Sequence, residues 1–191
     1  MQQKGMVFVS LKHGLLGLLN YEPMTGYELD KEFKGSLGYF WQAKGSQIYR
    51  ELDAMEQNGW LTSERVIQDE KPNKRVYSIT PEGKAEFIDW LSSFEEDVKD
   101  SMSFKSAFLM RLFFAAELDR NHALKLLRSY RDVCLARIKE IDKAVEIVTQ
   151  LEAEFPDQAI YWKLTVMQGE MVCRARLEWV EKSIVILENK E

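Results

Sequence analysis

Residues 45–61 read GSQIYRELDAMEQNGWL. Ile48, Leu52 and Met55 recur at i, i+4 and i+7, which makes one apolar stripe of an amphipathic helix. The opposite face is divided along its length. Ser46, Gln47 and Arg50 come first, and the acids Glu51, Asp53 and Glu56 follow. Asn58-Gly59 then breaks the helix, with Gly59 placed at the C′ position where glycine ends helices at little cost. A short helix with donors at its start and a sharp stop at its end invites a reading of what surrounds it.

Upstream, Leu11, Leu15, Leu18 and Leu19 give a helical face over residues 10–20. Gly14 and Gly17 lie on the same element. Glycine costs a helix about 1 kcal/mol relative to alanine, so the close approach of another backbone is expected there. YEPMTG (21–26) predicts a turn, and Thr25 is placed to cap a second helix beginning GYELDKEF. Downstream, WLTSERVI (60–67) and KRVYSIT (74–80) have the β-branched and aromatic content of strands. QDEKPN between them suits a hairpin tip. Thr80 and Pro81 then open a fourth helix as N-cap and first position. Its expected buried residues are Ala85, Ile88 and Leu91, with Phe87 and Trp90 beside them. Three helices, a hairpin and a helix make a winged helix-turn-helix, in which 45–58 occupies the place of the recognition helix.

EEDVKD (95–100) is the expected junction, giving a first domain over 1–94 and a second over 95–191. FKSAFLMRLFFAAEL (104–118) predicts an apolar helix. Cys134, Ile138, Ile141, Val145 and Val148 mark one face of a long helix from about Asn121 to Phe155, where Pro156 interrupts the pattern. A second long helix carries Ile160, Leu164, Met167 and Met171, then Val180, Ile184 and Leu187. The fold class is therefore mainly α: an N-terminal winged helix-turn-helix, then an all-helical C-terminal domain with a long antiparallel helix hairpin. Such a hairpin cannot bury both faces alone, and a twofold partner is the commonest solution. Phe104, Phe108, Phe113 and Phe114 suit either packing between the halves or an intramolecular core.

Composition narrows the classes without choosing among them. Of 191 residues, 46% are hydrophobic and 30% charged, with a formal net charge of −5. The balance is 11 basic against 13 acidic residues up to position 94, and 15 against 18 beyond it. Neither half is a cationic tail, but a local basic patch, not the total, sets the electrostatics of a contact. VFVSLKHGLLGLL (7–19) contains Lys12 and His13 and is too short to span a bilayer, so no membrane association is expected. Cys134 and Cys173 have no metal-ligand spacing and are expected as reduced thiols in a cytoplasmic protein.

Helical geometry with Ile48 inward sets Ser46 and Arg50 farthest outward, with Gln47 and Tyr49 on the flanks. Helix-turn-helix proteins read base edges with residues near the start of this helix. Arginine pairs bidentately with guanine and glutamine with adenine. Ser46 and Tyr49 can donate to phosphate, and Lys44 stands just before the helix. The acids that follow repel phosphate, so only the first half is expected to enter a groove. Lys71, Lys74 and Arg75 cluster at the hairpin, where a wing reaches the DNA backbone or the adjacent minor groove. Asp69 and Glu70 offset part of that charge.

LKHGLLGLLNYEPMTGYEL, FWQAKGSQIYRELDAMEQNGWL and KRVYSITPEGKAEFIDWL together resemble the PadR family of bacterial transcriptional regulators. In motif detail the resemblance covers about residues 9–94. The second half is similar in length and helical layout to the larger subgroup, whose C-terminal helices form the dimer. The resemblance implies a homodimeric repressor on a pseudo-palindromic double-stranded DNA operator, released by a small molecule or another signal. It places Tyr49 and its neighbours in the recognition helix and Lys74-Arg75 in the wing. It does not place an effector pocket.

Phe40, Trp41, Trp60, Trp90 and Trp162 are candidates to line a flat pocket for a small aromatic effector at the domain junction or dimer interface. The rival is ordinary core packing. An enzyme is not expected: His13 and His122 lie in different elements without catalytic neighbours, and no phosphate loop or nucleophile elbow is present. No cofactor and no metal site are expected. The serious alternative is a winged helix used only for protein–protein contact, since fold does not fix function.

Overall fold

The protein is described by a computed structural model over residues 11–67, 73–93, 98 and 106–189. The chain divides into two compact units, 1–103 and 104–191. The expected boundary at 94/95, and residues 68–72 of the expected hairpin tip at 68–73, fall outside the described residues.

The first unit contains α1 (Leu11–Leu19), β1 (Met24–Thr25), α2 (Gly26–Ser36), α3 (Gly45–Gln57), β2 (Leu61–Val66), β3 (Lys74–Ile79) and α4 (Pro81–Ser92). Leu15, Leu16, Leu29, Phe33, Ile48, Leu52, Met55 and Leu61 form its core. Local chemistry sets the joints. Thr25 and Glu28 make a capping box at the start of α2. Thr80 caps α4 by accepting from the Gly83 N–H at 3.0 Å, and its hydroxyl donates to the Gly59 carbonyl at 2.7 Å. Gly59 has φ of 75°, as its C′ position requires.

Three expectations need correction here. The segment taken as a turn at 21–26 also contributes β1, which pairs with β3 through Met24↔Tyr77 and Thr25↔Val76. The sheet therefore has three antiparallel strands in the order β1-β3-β2. Two residues of strand carry too little pattern to be seen in a sequence. Second, Gly14 and Gly17 make room for side chains, not for a backbone: a Cβ at Gly14 would meet Phe33 at 3.0 Å, and one at Gly17 would meet Phe87 at 3.3 Å. Third, α4 buries the face of Gly83, Phe87 and Trp90, while Ala85, Ile88 and Leu91 are exposed. Gly83 decides this rotation, because a Cβ there would lie 2.2 Å from the Trp60 carbonyl oxygen.

The second unit holds α5 (Ala107–Phe113), a short 3₁₀ turn (Ala115–Glu117), α6 (Arg120–Leu151) and α7 (Pro156–Glu188). The single helix expected over 104–118 is thus interrupted at Phe114, and Phe104 lies outside the described residues. α6 and α7 form an antiparallel pair, tied along its length by Arg128–Glu188 at 2.7 Å and Lys163–Glu152 at 2.5 Å. A seven-residue spacing runs through the buried residues of both helices: Leu127, Cys134, Ile141 and Val148 on α6, and Ala159, Val166, Cys173 and Val180 on α7. That spacing is the seam of a left-handed coiled coil.

Cys134, Ile141 and Val148 are buried as expected, whereas Val145 is exposed and Ala144 takes the inner place. On α7 the correction is larger. Ile160, Leu164, Met167 and Met171 face outward, and only the later Val180, Ile184 and Leu187 lie on the inner side. α7 is apolar on two faces, and the smaller side chains line the close helix–helix seam. Phe108 stacks on Tyr130 at 4.2 Å inside this unit, and Phe113 and Phe114 are exposed.

Gly83→Ala is expected to lower the unfolding free energy by about 2–3 kcal/mol, the cost of forcing atoms into a filled site. Gly35→Ala, with nothing within 4 Å of its Cβ, should instead raise it by up to about 1 kcal/mol. Urea denaturation of both variants checks the pair.

Candidate nucleic-acid interface

α3 is held by its apolar stripe: Ile48, Leu52 and Met55 are each 0% exposed. The first turn on its other side is open, with Lys44, Ser46, Gln47, Tyr49 and Arg50 all exposed. These five expected DNA-binding residues therefore come together on one surface. Lys44 occupies the N-cap in an extended conformation. Its backbone N–H donates to Gln47 Oε1 at 2.8 Å, so Gln47 caps its own helix, and pairing with adenine would use an oxygen now engaged there. Tyr49 lies against the start of α2, where a Cβ on Gly26 would stand 2.5 Å from its ring. A side chain at position 26 would require the Tyr49 ring to move.

The wing residues divide between two faces of β3, because neighbours on a strand point oppositely. Lys74 is exposed and close enough to Glu28 for its charge to act on that carboxylate. Glu28 is held below the ordinary carboxylate range chiefly by the Thr25 backbone N–H. Arg75 points toward α3. Its Nε donates to Ser63 Oγ at 2.8 Å, one terminal nitrogen reaches Asp53 at 3.4 Å, and the other pairs with Glu56. The guanidinium also lies 5.1 Å from the centre of the Tyr77 ring. Lys71 lies outside the described residues. Arg65, which stands opposite Arg75 in the ladder, is exposed and escaped the sequence reading. Only the pairing register, not the sequence spacing, brings it to this face.

Four of the five aromatic candidates lie in the first unit and one in the second. Phe40 is exposed and meets Tyr39 edge-on. Trp41 alone of the five borders the open cleft lined by Lys34, Gly38, Ala43, Lys44 and Gln47. Lys12 Nζ sits 4.3 Å above the Trp60 ring. Trp90 stacks on His13 with centroids 4.5 Å apart. Trp162 belongs to the second unit, beside Phe155. Each of these rings has a local packing partner, which is what aromatic side chains most often do. Among the described residues no three His, Cys, Asp or Glu side chains gather as a metal site.

His13 is buried and faces Glu86 at 3.4 Å, while Lys12 pairs with the same carboxylate oxygen at 2.7 Å. The hydrogen bond from Lys12, followed by that from His13, holds Glu86 below its ordinary 4.5. A carboxylate so depressed adds stability above pH 4.5, and that contribution disappears as pH falls through the folded-state value.

Residues 15–89 match the Transcriptional regulator PadR-like family, and residues 104–188 match the Virulence activator alpha C-term family. The chain is 30% identical over 186 residues to the Negative transcriptional regulator PadR of Bacillus subtilis, covering 93% of this chain and 97% of that one. A crystal structure of Bacillus subtilis PadR in complex with operator DNA superposes with a TM-score of 0.78 at 28% identity, over 93% of this chain and 98% of the other. One in complex with p-coumaric acid gives 0.74 at 25% identity, over 94% and 99%.

Glu86→Gln should cost about 0.5–1 kcal/mol at pH 7, as expected for a partly exposed ion pair. Thermal melts across pH should show the gap to wild type closing below pH 4.5. A gap that stays constant into acid would contradict the assignment.

Proposed function

We propose that this chain, which belongs to the PadR-like family of transcriptional regulators, is a homodimeric repressor that binds a pseudo-palindromic operator and is released by a small aromatic effector. The observation that carries the reading is the open first turn of α3, with its donors outward and its stripe sealed inward. Arg50 is a base-reading side chain, Gln47 becomes one when its oxygen leaves the Lys44 N–H, and Lys44, Ser46 and Tyr49 donate to phosphate. Lys74 approaches the backbone from the wing. Residues 1–94 form the DNA-binding domain and 95–191 the dimerisation domain. The protein works in the cytoplasm and carries no enzymatic activity.

The outward apolar residues of α7 support the dimer. Ile160, Leu164, Met167 and Met171 form a face that a soluble helix pair does not leave uncovered without reason. A twofold partner covers it with the same face of a second copy. The two copies of α3 then lie about 34 Å apart and enter successive major grooves on one side of the duplex. Release follows if the effector binds better to a dimer with another spacing, since only differential affinity shifts a population. The p-coumaric acid complex of Bacillus subtilis PadR supports an aromatic acid as the effector class.

Fluorescence anisotropy on duplex DNA from upstream of the protein's own gene should show selective binding that weakens with salt. Arg50→Ala should weaken it by about 1–3 kcal/mol. Salt-insensitive binding untouched by that variant would favour the protein-interaction module. Added p-coumaric acid is expected to quench tryptophan emission saturably and to release the DNA over the same concentration range. Quenching without release would contradict the effector mechanism.

A further inference from the structure

We propose that Arg75 is a positioning residue that neutralises the acidic flank of α3, and that Arg65, its cross-strand partner, is the wing cation that meets the DNA backbone. The inference rests on the operator-binding reading given above. It follows from where the two guanidinium groups are committed.

Arg75 uses all three of its nitrogens inside the protein, on Ser63, Asp53 and Glu56. Ser63 also donates to Glu56, so strand β2, strand β3 and helix α3 meet in one network. A guanidinium that reached for phosphate would have to leave two carboxylates behind. Those carboxylates stand on the recognition helix, where unpaired negative charge opposes the approach of DNA. Arg75 therefore favours binding by staying where it is: it cancels charge on α3 and fixes the wing against the helix.

Arg65 has the complementary position. It is directly opposite Arg75 in the antiparallel ladder, so both side chains leave the same face of the sheet. Like charges placed so repel each other, and the acids of α3 relieve the repulsion by taking up Arg75. Arg65 is exposed, and among the described residues it makes no ion pair. It stands two residues farther along β2 than Ser63, toward the wing tip, as an exposed cation on the sheet face from which Arg75 reaches α3. A phosphate is the ligand such a group suits.

The test uses the full-length protein and a duplex selected by the wild type from a random-sequence library. Arg75→Ala should weaken binding about tenfold. Adding Glu56→Gln to it returns the cluster to its wild-type net charge and should restore affinity to within about threefold, with the wild-type salt slope kept. Arg65→Ala should weaken binding and reduce the salt slope by about one phosphate's worth, in the wild-type and Glu56→Gln backgrounds alike. Thermal melts guard against misfolding, and Arg75→Lys, which keeps the charge without the fork, should fall between wild type and alanine. If Glu56→Gln fails to rescue and Arg75→Ala lowers the salt slope, Arg75 touches DNA and the proposal is overturned. An Arg65→Ala variant with unchanged slope overturns its other half. Failure of the wild type to select any duplex is a different result, and it defeats the operator-binding reading itself.

Discussion

The inward seal of α3 is the constraint on which the rest depends. Ile48, Leu52 and Met55 are fully buried against α1, α2 and β2. A helix with one face fixed has no freedom in the other, so Ser46, Gln47, Tyr49 and Arg50 are presented outward by the packing of that stripe. On the proposed reading, stability and function use opposite sides of the same thirteen residues. A substitution that loosens the stripe would turn the reading face as well as weaken the core.

The joints around α3 serve the same end. Gly26 leaves room for the Tyr49 ring at the start of α2, and Gly59 turns the chain directly into the sheet. Thr80 then links that turn to the start of α4, and Gly83 lets α4 seat against the Trp60 carbonyl. The Arg75 network adds an ionic tie between wing and helix. Helix, strands and wing are thereby held in one geometry, which a protein that reads DNA by position has reason to require. The second unit solves a different problem: Leu127 and Ile141 of α6 are buried along a seam to which α7 gives the smaller Ala159, Val166, Cys173 and Val180, leaving larger residues of α7 outward.

Much of this was legible in the sequence where the chain speaks locally. Thr25, Thr80-Pro81 and Asn58-Gly59 each set an element boundary through their own backbone chemistry, and all three boundaries are found. The stripe of α3 was equally plain, since its other face is polar. Helices α4 and α7 are each apolar on two faces, so periodicity alone allows two rotations. A tertiary contact chose between them: the Gly83 approach in α4, and the close seam of α6 and α7. The same limit applies to the candidate site. The exposed turn of α3 was foreseen, but the partners of Arg75 and the place of Arg65 depend on strand register, which sequence spacing does not contain. The tryptophans looked alike as candidates, and only their separate neighbours distinguish them.

The central claim is that two copies of α3 read DNA together. Hydroxyl-radical footprinting of the wild-type protein on its selected duplex tests this most directly. The account predicts two protected patches on one face of the helix, centred about ten base pairs apart or a multiple of it. A single patch, or protection spread evenly around the duplex, would contradict it.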